Sequence, residues 1–112
     1  MSPTEPRRGE VWLAHVDKVR PVVVLTRDPM GRYLNSLIVA PMTTTMRGTS
    51  TEVAVGEADG ARRPSVINVD STQLVNRDDF WRRVGRVRPE TVDIVCATLA
   101  HALGCDRRPN PV

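Results

Sequence analysis

One stretch constrains the fold more than any other. In Arg20-Pro21-Val22-Val23-Val24-Leu25-Thr26, a cation and a proline stand directly before the most strand-like run in the chain. Successive β-branched residues favour a pleated surface, and the run is too short for a helix. Pro21 has no N–H to give to a ladder and biases the residue before it toward extended geometry, so Arg20 is expected at the mouth of the strand. A guanidinium fixed there is open to three uses: a phosphate, a carboxylate, or an ion pair of purely structural value.

The segments on either side read as further short strands. Arg8 to Val16 alternates with both faces largely apolar, Val11, Leu13 and His15 on one and Trp12, Ala14 and Val16 on the other, which suits a central strand. The short gap before Arg20 predicts an antiparallel hairpin with the valine run. Arg27 to Tyr33 carries Pro and Gly and is expected to be a loop. A third strand, Ser36 to Pro41, is expected to stop at the proline and give way to the hydroxyl-rich run Met42-Thr43-Thr44-Thr45-Met46-Arg47-Gly48. Thr51 to Val55 predicts a fourth strand and Gly56 to Pro64 a flexible loop. Ser65 to Asp70 predicts a fifth strand, continuing to Val75 as a bent strand or a strand pair. Asn76 to Trp81 reads as one helical turn, and Val84 to Arg88 as a last short strand.

Pro89-Glu90 opens the one convincing helix, because proline is favoured in the first turn and an acid complements the N-terminal end of the dipole. Val92, Val95, Cys96, Leu99 and Leu103 form its apolar stripe, Ile94 projects outward, and Gly104 is a natural stop. Residues 1–7 are expected to be a flexible tail, 8–104 a single domain, and 105–112 a second tail.

Composition narrows the function. The chain has 112 residues, 40% hydrophobic and 26% charged, enough for one domain with a modest core. No apolar run is long enough to cross a membrane and no signal peptide opens the chain, so a soluble cytoplasmic protein is expected. The net charge is +3, and fifteen of the sixteen basic residues are arginine, with Lys18 the only lysine. That bias suits a phosphate-bearing partner and is also what GC-rich codon usage produces. Only Trp12, Tyr33, Phe80 and Trp81 are aromatic, so no stacking platform for single-stranded nucleic acid is visible. Cys96 and Cys105 have no His or Cys partners at ligand spacing, so neither a metal site nor a cofactor is expected.

Taken in order, Arg8-Gly9-Glu10-Val11-Trp12, Arg20-Pro21-Val22-Val23-Val24, Val39-Ala40-Pro41-Met42-Thr43-Thr44 and the Pro89-Glu90 helix resemble the MazF/PemK family of toxin endoribonucleases over about residues 8–104. The resemblance implies a mainly β fold with a C-terminal helix, an SH3-like small barrel of the CcdB/PemK type. It implies a homodimer, metal-independent cleavage of single-stranded RNA to a 2′,3′-cyclic phosphate and a 5′-OH, and neutralisation by a small MazE-like antitoxin. The catalytic arginine of the family falls on Arg20 and the catalytic threonine on Thr43. The acidic or polar positions after the family's Ser-Val strand fall on Asp70 and Ser71, and Thr44, Arg47 and His15 are further candidates to contact RNA.

The sequence departs from the family in one place. The loop between the first two strands is commonly longer, with a Gly-Ser-Glu-Gln-like segment, and here it is cut to Asp17-Lys18-Val19. The acidic residue of that loop has no aligned counterpart, and His15 is the nearest candidate by chain position whose pKa class suits acid/base work. Other readings stay open at this level. Asp70 can pair with Arg86, and Asn68 and Gln73 can read bases or satisfy backbone groups. A non-enzymatic CcdB-like toxin that binds DNA gyrase, or an inactive binding module, fits the same barrel.

Overall fold

The computed structural model describes residues 5–28 and 33–105. The expected tails and the expected loop over Arg27 to Tyr33 fall partly outside these residues. Strands β1 (Glu10–His15), β2 (Val19–Val24), β3 (Ser36–Thr43), β4 (Glu52–Val55), β5 (Ser65–Asn68), β6 (Gln73–Asn76) and β7 (Phe80–Arg86) precede helix α1 (Pro89–Leu103). Every strand pairing is antiparallel, and the path runs β4-β5-β3-β2-β1-β7. The sheet curls into an open barrel whose two ends are β4 and β7, the mainly β architecture with a C-terminal helix that the sequence suggests. No described helix is long and apolar enough to cross a membrane.

Strand β3 organises the sheet. On one edge it pairs with β2, Val22 to Val24 against Pro41 to Val39. Its other edge forks, because Ser36 to Val39 pair with β6 while Met42 and Thr43 pair with β5. The expected stop at Pro41 is therefore corrected: Ile67 and Val66 of β5 take up Met42 and Thr43 and carry the strand past the proline.

Alternation on β1 to β3 feeds two cores. Val11, Val23 and Ala40 turn to one face, where they meet Val53, Ile67, Val69 and Val87, and Val92 and Val95 of α1. Trp12, Ala14, Val22, Val24, Leu37 and Val39 turn to the other and meet Val75 and Phe80. The Trp12 and Phe80 rings pack edge to face, 6.0 Å between centroids. That contact begins β7 at Phe80, four residues before the expected strand, so the expected helical turn shrinks to a 3-10 turn over Arg77–Asp79. On α1 the stripe holds as far as Leu99. Leu103 is corrected to an exposed position past the core, and Ile94 projects outward as expected.

Two buried carboxylates tie distant segments together. Glu10 accepts hydrogen bonds from the Arg7 N–H at 2.7 Å, Trp12 Nε1 at 3.1 Å and Arg83 Nη1 at 2.9 Å, with Arg86 Nη2 at 3.5 Å. Arg86 thus serves Glu10, and Asp70 instead accepts the Thr51 hydroxyl at 2.6 Å. Asp59, 3% exposed, accepts the Arg88 N–H at 2.9 Å and the Thr91 hydroxyl at 2.7 Å at the start of α1. The segment 56–64, expected to be a flexible loop, is corrected to an anchored one that includes a 3-10 turn over Glu57–Asp59.

Candidate active site

The parity that fills the second core also builds a cleft. Beyond Val22, Val24, Leu37 and Val39, the next same-face positions are Arg20 on β2 and Pro41 and Thr43 on β3. Continued two residues past the Val22–Pro41 pair, the β2–β3 register sets Arg20 across the seam from Thr43. Asn68 of β5 and Gln73 of β6 arrive from the two branches of the fork, with Ser71 between them on a 3-10 turn over Val69–Ser71. These residues line a cleft of about 470 Å³, closed on its other sides by Val16, Asp17, Thr45, Arg47 and Glu52.

Arg20 does not stand unpaired. Its Nε donates to Asp17 Oδ1 at 2.7 Å and its Nη2 to Asp17 Oδ2 at 3.0 Å, a bidentate pair supplied by the shortened β1–β2 turn. The Arg20 hydrogen bond holds the Asp17 carboxyl well below the usual carboxylate range, and the same bond raises the guanidinium above its ordinary value. Each group therefore favours the charged form of the other, a cation on Arg20 and an anion on Asp17.

The opposite wall is ordered by backbone. Thr43 Oγ1 accepts the Thr45 N–H at 3.1 Å, which leaves its own proton to donate into the cleft. Glu52 accepts the N–H groups of Arg47, Gly48 and Thr49. Those bonds, the Arg47 N–H first, hold the Glu52 carboxyl below its ordinary value. On the floor, Asn68 Nδ2 donates to Ser71 Oγ at 3.2 Å and Gln73 Nε2 donates to the Ser71 carbonyl at 3.1 Å, so each amide is held through its nitrogen. Among the described residues, no group of three or more His, Cys, Asp or Glu side chains is placed to hold a metal ion.

Residues 7–103 match the family described as PemK-like, MazF-like toxin of type II toxin-antitoxin system. The chain belongs to the PemK/MazF toxin family. The probable endoribonuclease MazF5 of Mycobacterium tuberculosis is 38% identical over 105 residues, which cover 91% of this chain and 96% of that protein. The solved structure of Mycobacterium tuberculosis toxin MazF-mt6 superposes with a TM-score of 0.80 at 35% identity, covering 88% of this chain and 99% of that one. An endoribonuclease from a mycobacterial species, solved in complex with its cognate antitoxin, also gives a TM-score of 0.80 at 28% identity, covering 95% and 99%.

Of the residues singled out in the sequence, the cleft gathers Arg20, Thr43, Arg47 and Ser71, and also Asn68 and Gln73. Thr44, Asp70 and His15 are not among its lining residues. His15 pairs with Val19, one position off the parity of Arg20, so alternation turns it to the other face. Thr44 is likewise one position off Thr43, and Asp70 is engaged by Thr51. Sequence reasoning missed Asp17 and Glu52. Asp17 lay three residues before Arg20, a spacing that lets a tight turn fold a carboxylate back onto the strand. Glu52 gave no comparable sign, because its partners are backbone groups.

Proposed function

We propose that this protein is the toxin of a type II toxin–antitoxin pair, an endoribonuclease that cleaves single-stranded RNA without a metal ion. The observation that carries the reading is the seating of Arg20 and Thr43 in one cleft of a MazF-like barrel. The ribose 2′-oxygen attacks the adjacent phosphorus and gives up its proton to water, the bond to the 5′-oxygen breaks and that oxygen takes a proton from water, and the products carry a 2′,3′-cyclic phosphate and a 5′-OH. Negative charge builds on the phosphate oxygens during attack. Arg20 offers a fixed fork of N–H donors to those oxygens, and Thr43 adds a hydroxyl donor. Preorganised donors of this kind contribute about 3 to 4 kcal/mol each at the transition state. Asp17 and Glu52 are both held ionised below their ordinary values and are weak bases, so the contribution of the site is chiefly electrostatic.

The protein acts in the cytoplasm as a homodimer and is neutralised by a small cognate antitoxin, a partner supported by the relative solved with its own antitoxin. A gyrase-binding toxin, the other reading of this barrel, gives the Arg20 and Thr43 pairing no task. The test is incubation of purified protein with mixed-sequence RNA in EDTA, followed by mapping of the ends. Cleavage leaving cyclic phosphate and 5′-OH ends is expected, and its loss on chelation would sink the metal-free mechanism.

A further inference from the structure

We propose that Asp17 is a positioning residue that locks the Arg20 guanidinium side-on, so that the opposite edge of the fork meets an RNA phosphate in the cleft. The inference rests on the ribonuclease reading above. Arginine carries five N–H donors in one plane. Asp17 takes the Nε hydrogen and one on Nη2, leaving both on Nη1 and the second on Nη2, the edge suited to two phosphate oxygens.

The carboxylate that does the holding is itself held. Asp17 Oδ1 accepts the Lys18 N–H at 3.0 Å, and the Val16 N–H closes the turn on the Lys18 carbonyl at 3.1 Å. Backbone, carboxylate and guanidinium thus form one connected chain from β1 to the cleft. The side-chain freedom of Arg20 is restricted before RNA arrives, which is how a positioning contact raises the rate of a step that depends on geometry.

The same carboxylate opposes binding. It places a negative charge on the cation that must attract an anionic strand, and the cleft holds a second carboxylate, Glu52 at the start of β4. Asp17 therefore improves orientation and weakens ground-state attraction, two effects that separate in kinetics. A residue that acts through Arg20 also has nothing left to do once Arg20 is gone.

The experiment compares wild type with Asp17→Ala, Asp17→Asn, Arg20→Ala and the Asp17→Ala/Arg20→Ala double variant on a single-stranded RNA oligonucleotide. Binding is measured on the all-2′-deoxy form of the same sequence, which has no nucleophile. Asp17→Ala is expected to lower kcat by about 10- to 100-fold, with KM and the deoxy-oligonucleotide Kd unchanged or lower. Asp17→Asn, which keeps an acceptor, should fall between, and the double variant should match Arg20→Ala. A kcat within twofold of wild type, a kcat loss matched by weaker binding, or a further loss on top of Arg20→Ala would each overturn the proposal. Wild type that cleaves no RNA would overturn the ribonuclease reading instead. The ¹⁵N-detected Arg20 Nε–H signal then still tests the hold on the guanidinium: faster Nη rotation in Asp17→Ala supports it, and an unchanged spectrum overturns it.

Discussion

Glu52 accepts the Arg47 amide N–H through both carboxylate oxygens, at 3.1 and 2.9 Å, and so fixes a wall of the cleft that also holds Arg20. The same carboxylate takes the N–H groups of Gly48 at 2.8 Å and Thr49 at 3.3 Å, where Gly48 adopts a left-handed φ of 74°. Glu52→Ala should leave the fold intact but release the 47–49 segment. Hydrogen exchange at these three amides is expected to accelerate, and RNA binding to weaken. Unchanged protection would show that the loop holds its shape without Glu52.

Arg20 and Thr43 are expected to differ in what replaces them. Arg20→Ala should lower kcat/KM by about 10²- to 10³-fold, the range for loss of one preorganised donor to developing charge. Arg20→Lys should recover little, because an ammonium can neither fork across two phosphate oxygens nor keep the bidentate Asp17 contact. Thr43→Ser should retain most activity and Thr43→Val should not, since the hydroxyl and not the methyl faces the work. Single-turnover cleavage of one RNA oligonucleotide by all four variants decides each point.

Asp59 is expected to matter for stability and not for cleavage. Its removal in Asp59→Ala leaves the Arg88 N–H and the Thr91 hydroxyl without their acceptor at the start of α1. Losing such partners costs about 1 to 3 kcal/mol. Urea denaturation should register that loss, while kcat at a temperature well below the transition should stay near wild type. A stability loss under about 0.5 kcal/mol, the usual scatter for surface changes, would show that segment 56–64 is held by other contacts.

Acid should unfold the protein through its buried carboxylates. Burial alone raises the Glu10 carboxyl, but the bonds from Arg83, the Arg7 N–H and Trp12 together outweigh it and hold the group below its ordinary value in an unfolded chain. Asp59 is likewise raised by burial and lowered further by Arg88 and Thr91, to below its ordinary value. Both groups therefore contribute stability that is complete above those unfolded values and is lost as pH falls through the folded ones. Urea midpoints should be level near neutrality and drop below about pH 4, with a shallower drop in Asp59→Asn. Midpoints that rise on acidification would reverse this assignment.

Local rules read the centre of the fold and lost its margins. The Val22 to Val24 run, the double-faced β1 and the Pro89 start of α1 were legible because each is dictated by neighbours within a few residues. The reach of β3 past Pro41 was not, since β5 supplies the partners some 25 residues later. The early start of β7 was hidden because an edge strand carrying Arg82, Arg83 and Arg86 outward shows no apolar alternation. Asp59 looked like loop because its partners, Arg88 and Thr91, belong to the helix. In the site, parity from the valine run places Arg20 and Thr43 together, and the family resemblance picked out the same two. Asp17 needed the turn itself, because no periodicity announces a side chain that folds back onto its own strand.

The fork in β3 gives the cleft a mechanical character. The β5 and β6 branches share that one strand and are otherwise joined by the turn that carries Ser71. Gln73 stands on one branch, Asn68 on the other, and the space between them is the floor on which an occupant would rest. A strand of RNA seated there is a strut across a notch, bracing two branches of a sheet that share β3 and the turn at Ser71. Tight binding should therefore be legible as stiffness beyond the cleft: slower amide exchange at Val53 to Val55 of β4 and Leu74 to Asn76 of β6, which do not line it.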